Sequence, residues 1–134
     1  MAHRRTIIPP GMEQQYAEWQ IAPGLLIDDT LYSSGQIGID ASGSVSSDPE
    51  TQFTQAFEHV GAILEAADLG FEDVVEILSF HIGLLEHMPA FGKVRARYVH
   101  EPYPAETAVG VAELGIPGAL VEIRVTALRG GRGS

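Results

Sequence analysis

The stretch from Tyr103 to Leu128 restricts the fold more than any other. Its last run, Leu120 to Leu128, alternates strictly: Val121, Ile123, Val125 and Ala127 share one face of an extended chain, and Glu122, Arg124 and Thr126 share the other. Alternation with period 2 is that of a strand with one face in a core. Upstream, Thr107 to Leu114 is rich in Val and Ala, and Gly115-Ile116-Pro117-Gly118 divides the two runs with turn formers at both ends. The polar face of the last strand then carries a carboxylate and a guanidinium side by side. An ion taken out of water without a partner costs several kcal/mol. Glu122 is therefore expected to be paired, to face a wet cleft or to lie at an interface.

A helix is the second constraint. Phe53, Ala56, Phe57, Val60, Ile63, Leu64 and Ala67 recur at three and four residues and make one continuous apolar stripe. Asp48 is a natural N-cap, Pro49 suits the first helical position, and Gly70 suits a left-handed cap at the far end. Val74 to Leu84 reads as an internal strand, and Met88 to Val99 as a second helix presenting Phe91, Val94 and Tyr98. Gln20 to Ile27 and Thr30 to Ile39 form a hairpin candidate around Asp28-Asp29. Ser33, Ser34 and Gly35 mark a place where another backbone or a ligand comes close. Met12 to Glu18 carries no clear pattern but ends on Trp19, the only tryptophan, so this segment is expected to dock on the body.

The order ββ, helix, β, helix, ββ predicts an α+β domain in which two helices cover one face of a sheet of about five or six strands. The opposite face is assigned Ser34, Gln36, His81, Glu122, Arg124 and Thr126 beside Ile77 and Val111. Such a surface is too polar for a core and too apolar for open water, as a subunit interface with clefts is. An oligomer is expected.

Composition narrows the functional classes. The 134 residues fit a single domain spanning 1–134, with 1–5 and 130–134 expected to fray. The net charge of −10, from 18 acidic and 8 basic residues, leaves no basic stripe to neutralise phosphates, which counts against nucleic acid as a partner. Without cysteine there is no disulfide, thiol chemistry or thiolate metal site. No His/Asp/Glu set has metal-ligand spacing, so no metal and no other cofactor is expected. No stretch approaches a membrane span, and Met1 to Arg5 leads into no apolar signal core, so a cytoplasmic chain is expected.

Ser34-Gly35-Gln36 after a hairpin, the helix from Thr51-Gln52 to Leu69, Asp73-Val74-Val75, and Pro104-Ala105 leading to Val121-Glu122-Ile123 together resemble the Rid family. These are the YjgF-type proteins of reactive-intermediate (enamine/imine) deamination, and the resemblance covers about residues 20 to 128. It implies a chorismate-mutase-like mixed sheet with two helices on one face, and a homotrimer around a central barrel. It further implies a small-molecule cleft at each subunit boundary. Gly35 would turn its backbone N–H to the ligand, and Glu122 would position the attacking water. Ser34, Trp19 and Ile21 fall beside that cleft, with Trp19 or Ile21 in the place of a capping aromatic residue.

This sequence departs from the family pattern at Glu106, where imino-acid hydrolases of the family carry the arginine that holds the substrate carboxylate. At about 4 Å, a unit-charge contact is worth roughly 1 kcal/mol in water and roughly 4 kcal/mol at an effective dielectric of about 20, so the reversal is expensive for an anion. Unless Arg124 reaches in, carboxylate-bearing 2-iminoacids are expected to bind badly. Three functions stay open at this point: hydrolytic deamination or tautomerisation of a small enamine or imine, ligand binding by a trimer without turnover, and the endoribonuclease activity attributed to some relatives.

Overall fold

The computed structural model describes residues 1–130. Its elements run β1 (Arg4–Ile7), α1 (Glu13–Trp19), β2 (Gly24–Ile27), β3 (Thr30–Ser33), β4 (Gln36–Ile37) and α2 (Pro49–Ala66), then β5 (Val74–His81), α3 (Leu84–Arg95), β6 (Ala105–Gly110) and β7 (Val121–Leu128). One mixed sheet takes the order β1-β2-β3-β7-β5-β6, and the short β4 also pairs with β7. β5 and β6 are parallel, joined through α3. The other pairings are antiparallel. The expected α+β layering is present.

The alternating C-terminal run is the centre of this sheet. Val121, Ile123, Val125 and Ala127 are all buried, while Glu122 and Thr126 are half-buried and Arg124 exposed. α2 packs across β7, β4 and β3, and α3 packs on α2 and β6. Phe53, Phe57, Val60, Ile63 and Leu64 of α2 meet Phe91 and Val94 of α3 over the strand side chains. Asp48 caps α2 as expected, its Oδ2 accepting from Thr51 N–H at 3.0 Å and from Thr51 Oγ1 at 2.7 Å. Gly38 lets the start of this helix lie on β4, since a β-carbon there would come within 2.7 Å of the Gln52 Cα.

Several expectations are corrected. α2 closes at Asp68 (φ 58°) rather than at Gly70, whose φ of −135° is extended. Leu69 N–H reaches Leu64 O and Asp68 N–H reaches Glu65 O, both at 2.9 Å, so the aspartate takes the left-handed position of a Schellman close. α3 starts at Leu84, a turn before Met88, after Gly83 in the left-handed region (φ 68°), and Pro89 lies inside it. Although only a turn divides the two C-terminal runs in sequence, β5 lies between them in the sheet. The N-terminal end does not fray at Arg4 and Arg5: these residues pair with Ile27 and Leu26, and His3 N–H donates to Asp28 Oδ1 at 2.9 Å. Residues 131–134 of the expected frayed tail lie outside the described residues.

The face assignment of β5 is also reversed. Ile77, Ser79 and His81 stand opposite Val125, Ile123 and Val121, so they share the buried face, and Leu78 and Phe80 take the open one. Burial of Ser79 and His81 is tolerable because they satisfy each other, His81 Nε2 lying 2.8 Å from Ser79 Oγ. Gln36, opposite Ile123, likewise turns inward and is buried. α1 is a third helix that the sequence did not announce. It has no buried residue, so it leaves no apolar period to read.

Candidate functional site

Between β3 and β4 the sheet is interrupted. Tyr32 pairs with Thr126 and Gln36 with Ile123, so Ser33, Ser34 and Gly35 stand against Arg124 and Val125, one residue more than the partner strand supplies. This is a β-bulge, a device that bends a strand away and re-aims its neighbours. The serines hold it. Ser33 Oγ accepts the Val125 N–H at 2.9 Å, and Ser34 donates through N–H to Pro23 O at 2.9 Å and through Oγ to Ala22 O at 2.5 Å. Both hydroxyls are thus engaged in backbone geometry.

A cleft of about 680 Å³ opens at the bulge. Ser33 to Ile37 and Ile39 form one wall, Phe80, Glu122 and Arg124 the floor, Gln15, Trp19 and Ile21 the far rim, and Gly115 and Ile116 a corner. Trp19 and Ile21 are 52% and 44% exposed, so their apolar surface borders the opening. Glu122 lies directly on Gly35: a β-carbon at that glycine would be 2.6 Å from both Cγ and Cδ of the glutamate. Only glycine leaves room for this carboxylate.

Glu122 and Arg124 are the two charged residues lining the cleft. The ion pairs among the described residues are Lys93–Glu50, Arg97–Glu50, Arg95–Glu106 and Arg129–Asp29, and neither cleft residue takes part in one. The internal Glu122–Arg124 pair that would have made both residues structural is not formed. Apolar walls around such charges lower the local dielectric and strengthen whatever a ligand offers them.

Six of the seven candidate residues therefore gather in one place: Glu122, Gly35, Ser34, Trp19, Ile21 and Arg124. Glu106 does not join them. It pairs with Ile77 across β5 and β6 on the helix-covered side, where Arg95 Nε donates to its Oε1 at 2.7 Å. Its charge is compensated by Arg95, and it lies outside the cleft of its own chain.

Sequence reasoning missed Gln15, Phe80 and Ile116. Phe80 lies on the strand face opposite the one assigned to the open side, that of Ile77 and His81, and Gln15 sits on the unannounced α1. An isoleucine flanked by Gly115 and Pro117 in a turn was the one local hint of Ile116. His81 is withdrawn from the open face altogether. It is 1% exposed, its ring meets Phe91 edge-on at 4.7 Å, and burial, with a smaller contribution from His87, pushes its pKa below 6.5. Among the described residues no three His, Asp or Glu side chains gather as a metal site.

The family model described as Endoribonuclease L-PSP matches residues 10–129. The chain is 33% identical to the RutC family protein YjgH of Escherichia coli (strain K12) over 128 residues, covering 95% of this chain and 96% of that one. It is 32% identical over 108 residues to a Homo sapiens protein named 2-iminobutanoate/2-iminopropanoate deaminase, with 79% of this chain and 77% of that one covered. A solved structure of protein YJGH superposes with a TM-score of 0.86 at 32% identity over 93% of this chain and 95% of that one. The extent of the family match and the shared architecture agree with the residues that carried the resemblance: this chain belongs to the Endoribonuclease L-PSP family, the family of YjgF and RidA.

Proposed function

We propose that the cleft hydrolyses a small enamine or imine, with Glu122 holding the attacking water. One observation carries the reading: a carboxylate with no ion-pair partner among the described residues lies on the Gly35 backbone inside an otherwise largely apolar cleft. Water adds to the C=N carbon while Glu122 takes its proton. That proton passes to the nitrogen to give a neutral carbinolamine; Glu122 then relays the proton of the carbinolamine hydroxyl to the nitrogen as the C–N bond breaks, and ammonia and a carbonyl compound leave. An enamine enters the same course after tautomerising to the imine. General-base assistance of this kind contributes roughly 10²–10⁴-fold. Relatives named as 2-iminobutanoate/2-iminopropanoate deaminases support the reaction class.

The reading includes a homotrimer, in which the open sheet face is covered by neighbouring copies. RNA cleavage is less well supported. Lys93, Arg95, Arg97 and Arg129 are engaged by acidic side chains, and the cleft offers a polyphosphate one arginine next to one glutamate.

The test is turnover of freshly generated imines by the unmutated protein and by Glu122→Gln. The variant keeps the size of the side chain and removes its basicity. Turnover is expected to fall at least about 10²-fold, with fold and assembly unchanged. Equal turnover in the two proteins would sink the hydrolytic role of Glu122, and ligand binding with no turnover in either would assign the cleft to binding alone.

A further inference from the structure

One buried amide ties together two loops that border the cleft. Gln52 is 1% exposed, and its Nε2 donates to Ser46 O at 2.7 Å and to Gly118 O at 3.0 Å, while its Oε1 accepts the Leu120 N–H at 2.8 Å. Ser46 follows Val45, which bridges back to Ile39. Gly118 lies in the turn that the Ala119 N–H closes onto Ile116 O at 3.1 Å. The two loops touch, since a β-carbon at Gly118 would sit 3.9 Å from Val45 Cγ1. From them Ile39 and Ile116, both half-buried, reach the cleft. Register places this corner relative to the carboxylate. β4 runs antiparallel to β7 with Ile37 opposite Glu122, so the chain after Ile37 leads toward the start of β7, away from Arg124.

We propose that the Ile39–Ile116 corner determines specificity in the cleft and that Gln52 is its positioning residue: the corner takes the aliphatic substituent of an imine or enamine whose reacting carbon lies at Glu122, and it favours a branched four-carbon group over a methyl. The inference rests on the reading of the cleft as the reaction site and names which substituent that site selects. Gln52 touches no reacting atom. It acts by fixing the gap between the two isoleucines, because a buried amide joined to three backbone groups cannot shift without leaving one of them desolvated and unpaired. A gap of fixed width between aliphatic walls discriminates by size. Each methylene buried there raises kcat/KM roughly fourfold, and a cleft of about 680 Å³ has room for several.

The experiment uses imines released in situ by an amino-acid oxidase from alanine and from leucine. They differ only in a methyl against an isobutyl group, so every other contact cancels in the ratio of their kcat/KM values. The unmutated protein is expected to prefer the isobutyl imine at least roughly tenfold, and Ile116→Ala to cut that ratio roughly fivefold or more. Gln52→Glu keeps the acceptor for the Leu120 N–H but sets a carboxylate against the carbonyls of Ser46 and Gly118. Assayed below its own thermal midpoint, it is expected to cut the ratio as well. A lowered midpoint with both imines slowed alike overturns the positioning role of Gln52. If Gln52→Glu does not fold, hydrogen exchange at the Leu120 amide of the unmutated protein decides: exchange slowed by the larger keto product and not by the smaller sustains the role, and equal exchange overturns it. A ratio near one in the unmutated protein, or one that Ile116→Ala leaves unmoved, overturns the corner itself. Glu122→Gln is expected to slow both imines alike; if it leaves turnover intact, the hydrolytic reading falls separately and the ratio still judges the corner. If the unmutated protein turns over neither imine, calorimetric titration with the two keto products carries the comparison: preference for the larger, diminished in Ile116→Ala, sustains the proposal, and equal affinity overturns it.

Discussion

At the scale of single residues, the site depends on what is missing from Gly35. Its backbone is not in the left-handed region, so alanine fits the main chain there. What alanine cannot do is share space with Glu122, whose Cγ and Cδ would each lie 2.6 Å from the new β-carbon. The glutamate end is flexible and moves away first. Gly35→Ala is therefore expected to lower imine turnover at least roughly tenfold while leaving the thermal midpoint nearly unchanged, since displaced surface side chains seldom cost more than about 0.5 kcal/mol. Steady-state kinetics beside a melting curve checks it. Glu106 makes the complementary point. Its charge is plain in the sequence, but only the 2.7 Å contact with Arg95 reveals that this charge is already compensated.

At the scale of elements, α2 was legible from its stripe and its cap, yet its tie to the cleft was not. Gln52, buried near its first turn, donates through Nε2 to Ser46 O at 2.7 Å and Gly118 O at 3.0 Å, and its Oε1 accepts the Leu120 N–H at 2.8 Å. One amide thus pins the loop that carries Ile116 into the cleft. Gln52→Leu keeps the volume and strands these backbone groups. The expected loss is about 3 kcal/mol in urea unfolding, from a cost of roughly 1–3 kcal/mol per unsatisfied buried group. β5 supplies a pH dependence. Burial of His81 holds its pKa below the ordinary 6.5, so just below that value the unfolded chain binds a proton that the folded chain refuses. The stabilisation is complete above the unfolded pKa and declines as pH falls toward the lowered folded value. Between about pH 7.5 and about pH 5.5, the unmutated protein should lose more stability than His81→Gln does.

At the scale of the whole molecule, the open sheet face is the unresolved surface of the single chain. Tyr32 is 44% exposed on it, with Leu128 nearby at 41%, and Leu78, Phe80 and Ile37 are only half covered. Apolar area of this kind favours association. Light scattering at micromolar concentration is expected to give the mass of three chains of 14.4 kDa each, and a stable single-chain mass would defeat the trimer.

Short-range periodicity is legible in the order of residues alone. It placed Val121, Ile123, Val125 and Ala127 in a core, turned Glu122 and Arg124 away from it, capped α2 at Asp48 and marked Ser34-Gly35 as a place of close approach, while the break of the Thr30–Ile39 run into β3 and β4 came only with the fold. Each of these local assignments follows from the geometry of one segment. Which strands are neighbours is a different kind of fact, set by pairings between distant parts of the chain. Only the tertiary structure inserted β5 between β6 and β7, and that pairing turned Ile77, Ser79 and His81 inward and brought Phe80 onto the cleft floor. It likewise decided that Arg95 meets Glu106, and that Trp19 and Ile116 close around Glu122 and Arg124. A residue's face within a strand can be read from its own neighbours, but the sense of that face depends on the strand across the ladder.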